Sequence, residues 1–439
     1  MASATPSDRG DIAPRSFNRL DPRKLDQADL AEAYDRVRRS TEALIESLGP
    51  EDQNLQSMPD ASPVKWHRAH TSWFFETFIL KPHLPAYRPL DPGYEYLFNS
   101  YYNGVGRQYP RPRRGLISRP DQAAVTDYRR HVDGAIQQLL IQLDPPTLRQ
   151  LAPLILLGLN HEQQHQELIV TDLKHAFSFN PAHPPCFGTR HEPSGQNAAF
   201  DWLGFEGGLF EFGHEGPAFA FDNEMPRHRA FLAPFELGSQ PVSCAAYLAF
   251  MDDGGYERPE LWLSDGWSWR QVEGIDAPLY WWREDGDWWH YSCTGARPVD
   301  PDSPICHLSF YEAWAFAEWS GARLPSELEW EHAVRALPIE GHFADRRRFH
   351  PEASAATGLT QAYGSVWEWT SSAYAAYPGF RPGKGAVGEY NGKFMANQMV
   401  LRGGSCATAA GHLRASYRNF FHPHQRWQFS GLRLARSAS

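Results

Sequence analysis

The run Asn160-His161-Glu162-Gln163-Gln164-His165-Gln166-Glu167 sits inside the apolar-rich stretch 148–179. It restricts how that stretch can pack. On an α-helix, side chains four apart leave the axis within roughly 40° of each other and about one turn apart. The two imidazoles therefore share a face and can bind one ion. Glu162, Gln163, Gln164, Gln166 and Glu167 crowd the pair. A satisfied apolar core accepts few such groups, whereas a site with a supporting layer of hydrogen-bonding side chains uses them. Two histidines alone do not hold a metal that must also take substrates, so a third ligand has to arrive from another part of the fold.

The segment 62–76 supplies it. Ser62-Pro63 reads as a helix start, with Ser as cap and Pro at the first helical position. Trp66, His70, Trp73 and Phe74 then recur at spacings of three and four on one face. His70 accordingly points inward, while His67 falls on a different stripe. The expected ligand set is His70, His161 and His165. The same run also matches the His-Glu-x-x-His pattern of zinc peptidases, in which the Glu is the general base and the third ligand lies downstream. Here the downstream histidines are His175, His183 and His191, without the glycine spacing usual in such sites.

At 439 residues the chain should hold two domains or one large one. Apolar residues at three-and-four spacing predict helices over 29–48, 63–80, 122–143 and 146–179, enough for a bundle spanning 1–185. The link 81–120 is too long for a plain connector and reads as functional. After Asn180-Pro181-Ala182-His183-Pro184-Pro185, Gly, Trp and short β-like runs take over. This predicts a mixed, irregular α+β domain over 186–439, with helical inserts near 242–252 and 309–320. Its many tryptophans, Trp262, Trp267 and Trp269 among them, read as core and loop packing.

A formal charge of −10 argues against a nucleic-acid partner. Five scattered cysteines without a CxxC pair point to a reducing compartment. The stretch 1–23 lacks the apolar core of a secretory signal, and no apolar run approaches membrane-spanning length. A soluble cytoplasmic protein is expected.

Four further motifs order the C-terminal half: Arg323-Leu324-Pro325-Ser326-Glu327-Leu328-Glu329-Trp330-Glu331, Gly364-Ser365-Val366-Trp367-Glu368-Trp369, Leu401-Arg402-Gly403-Gly404-Ser405 and Phe429-Ser430-Gly431-Leu432-Arg433. They resemble the C-type-lectin-like fold of formylglycine-generating enzymes. The N-terminal half, with His70 and His161-x-x-x-His165, resembles the DinB-like four-helix bundle of the sulfoxide synthases of ergothioneine biosynthesis. Together they resemble that family over nearly the whole chain.

The resemblance implies a mononuclear non-haem Fe(II) enzyme. It would use O2 to join a cysteine-type thiol to imidazole C2 of hercynine (Nα-trimethylhistidine), with oxidation of the sulfur to a sulfoxide. Three neutral imidazoles leave positions on the ion open for substrates. The segment Phe98-Asn99-Ser100-Tyr101-Tyr102-Asn103-Gly104-Val105-Gly106 resembles the tyrosine-bearing loop of the cysteine-using branch. Tyr101 or Tyr102 would then act as proton donor. Among Arg107, Arg111, Arg113 and Arg114, the resemblance favours Arg111 and Arg114 for the donor carboxylate.

Tyr417-Arg418-Asn419-Phe420-Phe421 matches the stretch contributed to the hercynine pocket. Asn419, Phe420, Phe421 and Gln164 would bind substrate there. Relatives using γ-glutamylcysteine carry an acidic residue where Phe420 or Phe421 stands, so free cysteine is the expected donor. A selenosugar donor and ovothiol-type regiochemistry share the scaffold and stay open. Formylglycine generation needs a cysteine pair, and Cys406 has no neighbour in the stretch that follows. A non-catalytic lectin-like binding protein is the reading from another class, and the three converging histidines count against it.

Overall fold

A computed structural model describes residues 17–187 and 195–438. The first 16 residues of the stretch 1–23, and His191, lie outside them. Helix α1 (Gln27–Leu44) opens on a reciprocal cap, Asp26 accepting the Asp29 N–H and Asp29 the Asp26 N–H. Helix α2 (Val64–Phe75) runs through a π-helical turn, Glu76–Leu80, into the short α3 (Lys81–His83), and α4 (Tyr94–Phe98) follows. Asp121 caps α5 (Gln122–Gln142), and Asp144 caps the 34-residue α6 (Pro145–Ser178), which carries Pro in its first turn.

Helices α1 and α2 each pack against both α5 and α6, closing a four-helix ring. Tyr34, Val37, Trp73, Phe75, Val132, Ile136 and Ile155 fill it. The four expected helices are all present, but the start of α2 differs. Ser62 does not cap it. Its N–H donates to Asp172 Oδ2 at 2.8 Å and its hydroxyl accepts from Arg114 at 2.9 Å, so the side chain is already engaged and α2 begins uncapped after Pro63.

The C-terminal part is a set of small sheets. β1 (Trp202–Phe205), β4 (Phe235–Gly238) and β12 (Ala435–Ser437) pair antiparallel in the order β1-β4-β12, which returns the end of the chain to the start of this part. β2 (Gly208–Phe212) and β3 (His228–Leu232) form a ribbon, and β5 (Trp281–Glu284), β6 (Asp287–Ser292) and β7 (Gly295–Pro298) form a meander. β8 (Trp367–Ala373), β9 (Met399–Arg402), β10 (Asn419–Phe421) and β11 (Ser430–Gly431) make a four-stranded sheet ordered β10-β9-β8-β11, with β11 parallel to β8.

The two expected inserts appear as α7 (Cys244–Asp252) and α9 (Phe310–Trp319). Helices α8 (Ser264–Glu273) and α10 (Glu327–Val334) were not anticipated. Trp267 and Trp269, read as turn residues, lie on α8. Buried ion pairs Arg433–Glu368 at 2.8 Å and Arg402–Glu327 at 2.8 Å tie helix α10 and the strands together.

The two parts share apolar packing. Ile169, Val170 and Leu173 of α6 cluster with Tyr291, Cys293, Phe349, Cys406 and Phe429. All five cysteines are free and buried, and no helix among the described residues is long and apolar enough to cross a membrane.

Candidate metal centre

The site forms where α2 meets α6. A Cβ on Gly158 of α6 would sit 2.6 Å from the Phe75 ring, so the absent side chain is what permits this approach. His70 of α2 then faces His161 and His165 of α6. His161 Nε2 lies 3.2 Å from His70 Nε2 and 3.0 Å from His165 Nε2. Trp66 and Trp73 stack on either side of His70, with ring centroids 4.6 and 5.5 Å away. Among the described residues these three side chains are grouped closely enough to hold an ion.

Hydrogen bonds at the outer ring nitrogens fix the tautomers of His70 and His165. His70 Nδ1–H donates to the Phe98 carbonyl at 2.6 Å. Asp172 accepts the Ser62 N–H, the Trp427 Nε1–H at 3.2 Å and His67 Nε2–H at 3.1 Å. His67 therefore carries its proton on Nε2, and its Nδ1 accepts from His165 Nδ1–H at 2.7 Å. His161 Nδ1 has no partner among the described residues.

The Nε2 atoms of all three rings point at one another, those of His70 and His165 as lone pairs. Burial holds all three imidazoles neutral, pushing His161 down to about 3 and the other two well below their ordinary value. Three neutral buried imidazoles whose Nε2 atoms converge, with His161 free to carry its proton on Nδ1, form a donor set that fits a divalent metal. His67, placed on another stripe by its spacing, is in fact the residue directly behind His165. The crossing of the two helices brings it there.

Glu162 does not serve the centre. It is fully buried inside the bundle, bonded to Arg38 at 2.7 Å, Thr41 at 2.6 Å and Arg129 at 3.0 Å. Burial alone would raise its carboxyl, but the two guanidiniums outweigh that and hold it down at about 2. A paired anion there is no general base for a zinc-bound water. His175 bonds Ser57 at 2.7 Å and the His183 ring lies tilted against Trp282, so neither joins the cluster. The peptidase reading fails.

The C-terminal part forms the wall beyond α6. Gln164 donates to Tyr417 Oη at 2.8 Å and accepts from Tyr390 Oη at 2.5 Å, and the Tyr390 ring lies 5.7 Å from His161. His412 bridges Tyr417 Oη and Gln163 Oε1, each at 3.1 Å. Glu167 accepts from Trp367 at 2.8 Å, Ser405 at 2.5 Å and Thr408 at 2.8 Å. A cavity of about 450 Å³ beside Tyr390 is walled by Phe219, Phe221, Tyr390 and Asp222, with Arg23 also on its lining.

Tyr101 and Tyr102 lie with hydroxyls 3.5 Å apart, on a loop whose Asn103 and Gly104 N–H groups donate to Glu389. Tyr102 is fully buried against Trp73 and Phe78, and burial keeps both phenols protonated. Arg114 is buried over Trp66, 3.4 Å from the ring centre, and its Nε–H has no partner among the described residues.

Arg111 is exposed and donates to the Asp60 carbonyl, which is where its 3-10 turn leaves it. Phe420 stacks on Tyr374 at 4.0 Å and Phe421 packs on Trp427, while Asn419 Oδ1 accepts the Phe420 N–H. Phe420 lies against Phe394, which touches Tyr101 of the tyrosine loop. Tyr390, His412, His67 and Asp172 were not expected in the site. Asp172 had a signal, since it follows His165 by seven residues and so shares its face of α6.

Two family models divide the chain: the DinB superfamily matches 33–169, and the Sulfatase-modifying factor enzyme 1-like domain matches 189–355 and 347–438. Hercynine oxygenase of Mycolicibacterium smegmatis is 32% identical over 443 residues, covering 92% of this chain and 98% of that protein. The chain belongs to the hercynine oxygenase family. A second member, from Mycolicibacterium thermoresistibile, is 31% identical over 93% of this chain and 95% of its own. The formylglycine-generating enzyme of Streptomyces coelicolor matches only 45% of this chain, at 28% identity. The family architecture, a DinB-like four-helix bundle followed by a C-type-lectin-like α+β domain, is the one expected from the sequence.

Proposed function

We propose that this protein is an Fe(II)- and O2-dependent sulfoxide synthase of ergothioneine biosynthesis, joining a cysteine-type thiol to imidazole C2 of hercynine. The observation that carries it is the convergence of three neutral imidazoles through Nε2 in a chain of this family. His70, His161 and His165 would hold the iron through Nε2, and the bound metal would supply O2 activation and a cationic site for the thiolate.

Arg114, buried with an Nε–H that has no partner among the described residues, suits the carboxylate of the thiol donor, whereas Arg111 is left a lesser role by its exposure. Phe219, Phe221 and Tyr390 with Asp222 offer the aromatic faces and anion that a quaternary ammonium takes, which suits hercynine. Gln164, held between two phenols, presents a fixed amide to substrate. Tyr101 and Tyr102 hold protons at Oη in a water-poor setting, as a proton donor requires. Packing of Phe420 and Phe421 among aromatic rings leaves no carboxylate there for the amine of γ-glutamylcysteine and favours free cysteine. Five buried free thiols suit action in the reducing cytoplasm.

The test is anaerobic loading with Fe(II), then O2 with hercynine and cysteine, following products by mass spectrometry. The expected product is S-cysteinyl-hercynine sulfoxide. Its absence, with turnover on γ-glutamylcysteine or a selenosugar instead, would reassign the donor. No product with any donor would overturn the reading.

A further inference from the structure

We propose that His67 and Asp172 form a relay that positions the ligand His165 and makes it the strongest donor of the three histidines; this rests on reading the triad as a metal centre. The three imidazoles differ in what stands behind them. His161 Nδ1 has no partner among the described residues, and His70 Nδ1–H meets a neutral backbone carbonyl. His165 Nδ1–H instead meets a second imidazole, whose far nitrogen donates to a carboxylate. A hydrogen bond whose chain ends on an anion polarises the donor ring more than one ending on a carbonyl. Electron density is therefore pushed along Asp172, His67 and His165 toward Nε2.

The relay is rigidly built. His67 is 2% exposed and Asp172 5% exposed, with the carboxylate pinned by Ser62 N–H from the start of α2 and Trp427 Nε1–H from the C-terminal part. Asp172 and His165 belong to α6 and His67 to α2, so the relay spans the helix pair that carries the ligands. It also fixes the tautomer. Without an acceptor at His67 Nδ1, the His165 proton is free to move to Nε2, which removes that lone pair from the centre.

Co(II) titration of the full-length protein tests this, read as affinity by chelator competition and as the visible ligand-field spectrum. His67→Leu removes the acceptor and should weaken Co(II) binding by about 10- to 100-fold with a shifted spectrum. His67→Asn, whose Oδ1 can take the place of Nδ1, should recover most of the affinity and the wild-type bands. A residue that only packs the helices would lower the melting temperature while leaving affinity and spectrum unchanged in His67→Leu, and that result would overturn the relay. If His67→Leu does not fold, Asp172→Asn decides: a several-fold loss of affinity supports the relay, and unchanged affinity and spectrum overturn it. A wild-type protein that takes up no Co(II), Zn(II) or Fe(II) would instead overturn the metal centre itself, and the relay with it.

Discussion

At the scale of single residues, the polar side chains around the histidine pair divide into two functions that sequence spacing does not separate. Glu162 belongs to the bundle, where its carboxylate stands between Arg38 and Arg129. Glu162→Gln takes the most buried anion from two buried guanidiniums, leaving Arg38 with the half-buried Asp133 and Arg129 with the more exposed Glu42, and should cost about 3–5 kcal/mol in urea unfolding. The same variant should still bind metal, because no ligand is touched. The pH dependence has a definite sign. The folded carboxyl is held at about 2, below its ordinary 4.5, so its stabilisation is complete above about 4.5 and is lost as pH falls toward 2. The variant should lack that acid limb. Tyr101 and Tyr102 make the opposite kind of prediction, since neither needs its hydroxyl for packing. Tyr101→Phe and Tyr102→Phe should keep substrate affinity, and the variant that removes the proton donor should divert O2 toward oxidation of the thiol. Unchanged product ratios in both variants, measured by mass spectrometry, would remove the tyrosines from the chemistry.

At the scale of elements, the centre depends on how closely α2 approaches α6. Gly158 stands one turn before His161, against the Phe74 and Phe75 rings. Gly158→Ala should wedge the helices apart, cost about 1–3 kcal/mol of stability and weaken metal binding by separating His70 from the α6 pair. A variant that loses stability but binds metal as before would show that the helices give elsewhere. The pattern that makes α2 and α6 helices was legible, because apolar residues at three-and-four spacing survive any tertiary context. The π-helical turn Glu76–Leu80 was not, since it changes hydrogen bonding without changing residue type. Helix α8 was hidden by Gly266 and by tryptophans that suit turns equally well. The three converging histidines could be read because each sits on a face defined by its own helix. His67 and Tyr390 could not, because their places depend on a helix crossing and on a distant loop.

At the scale of the whole molecule, one helix serves both parts, and successive residues of α6 do different work. His161 and His165 face α2, while Gln163, Gln164 and Glu167 face the C-terminal sheets through His412, Tyr390, Tyr417, Trp367, Ser405 and Thr408. A metal on the three histidines would therefore be held by the bundle alone, whereas the wall that Gln163, Gln164 and Glu167 face comes from the second part. Glu167 makes the most of these links, a half-buried carboxylate accepting three hydrogen bonds from the far side. Glu167→Gln turns one acceptor into an NH2 group facing donors, and should cost about 1–3 kcal/mol for the polar groups left unpaired. The bundle ligands are untouched, so Co(II) affinity should stay within about twofold of wild type, well below one tenfold step. The wall is loosened, so KM for hercynine should rise by more than the metal affinity falls. Equal losses in metal binding and in KM would mean that the two parts build the centre jointly, and that the bundle does not hold the metal by itself.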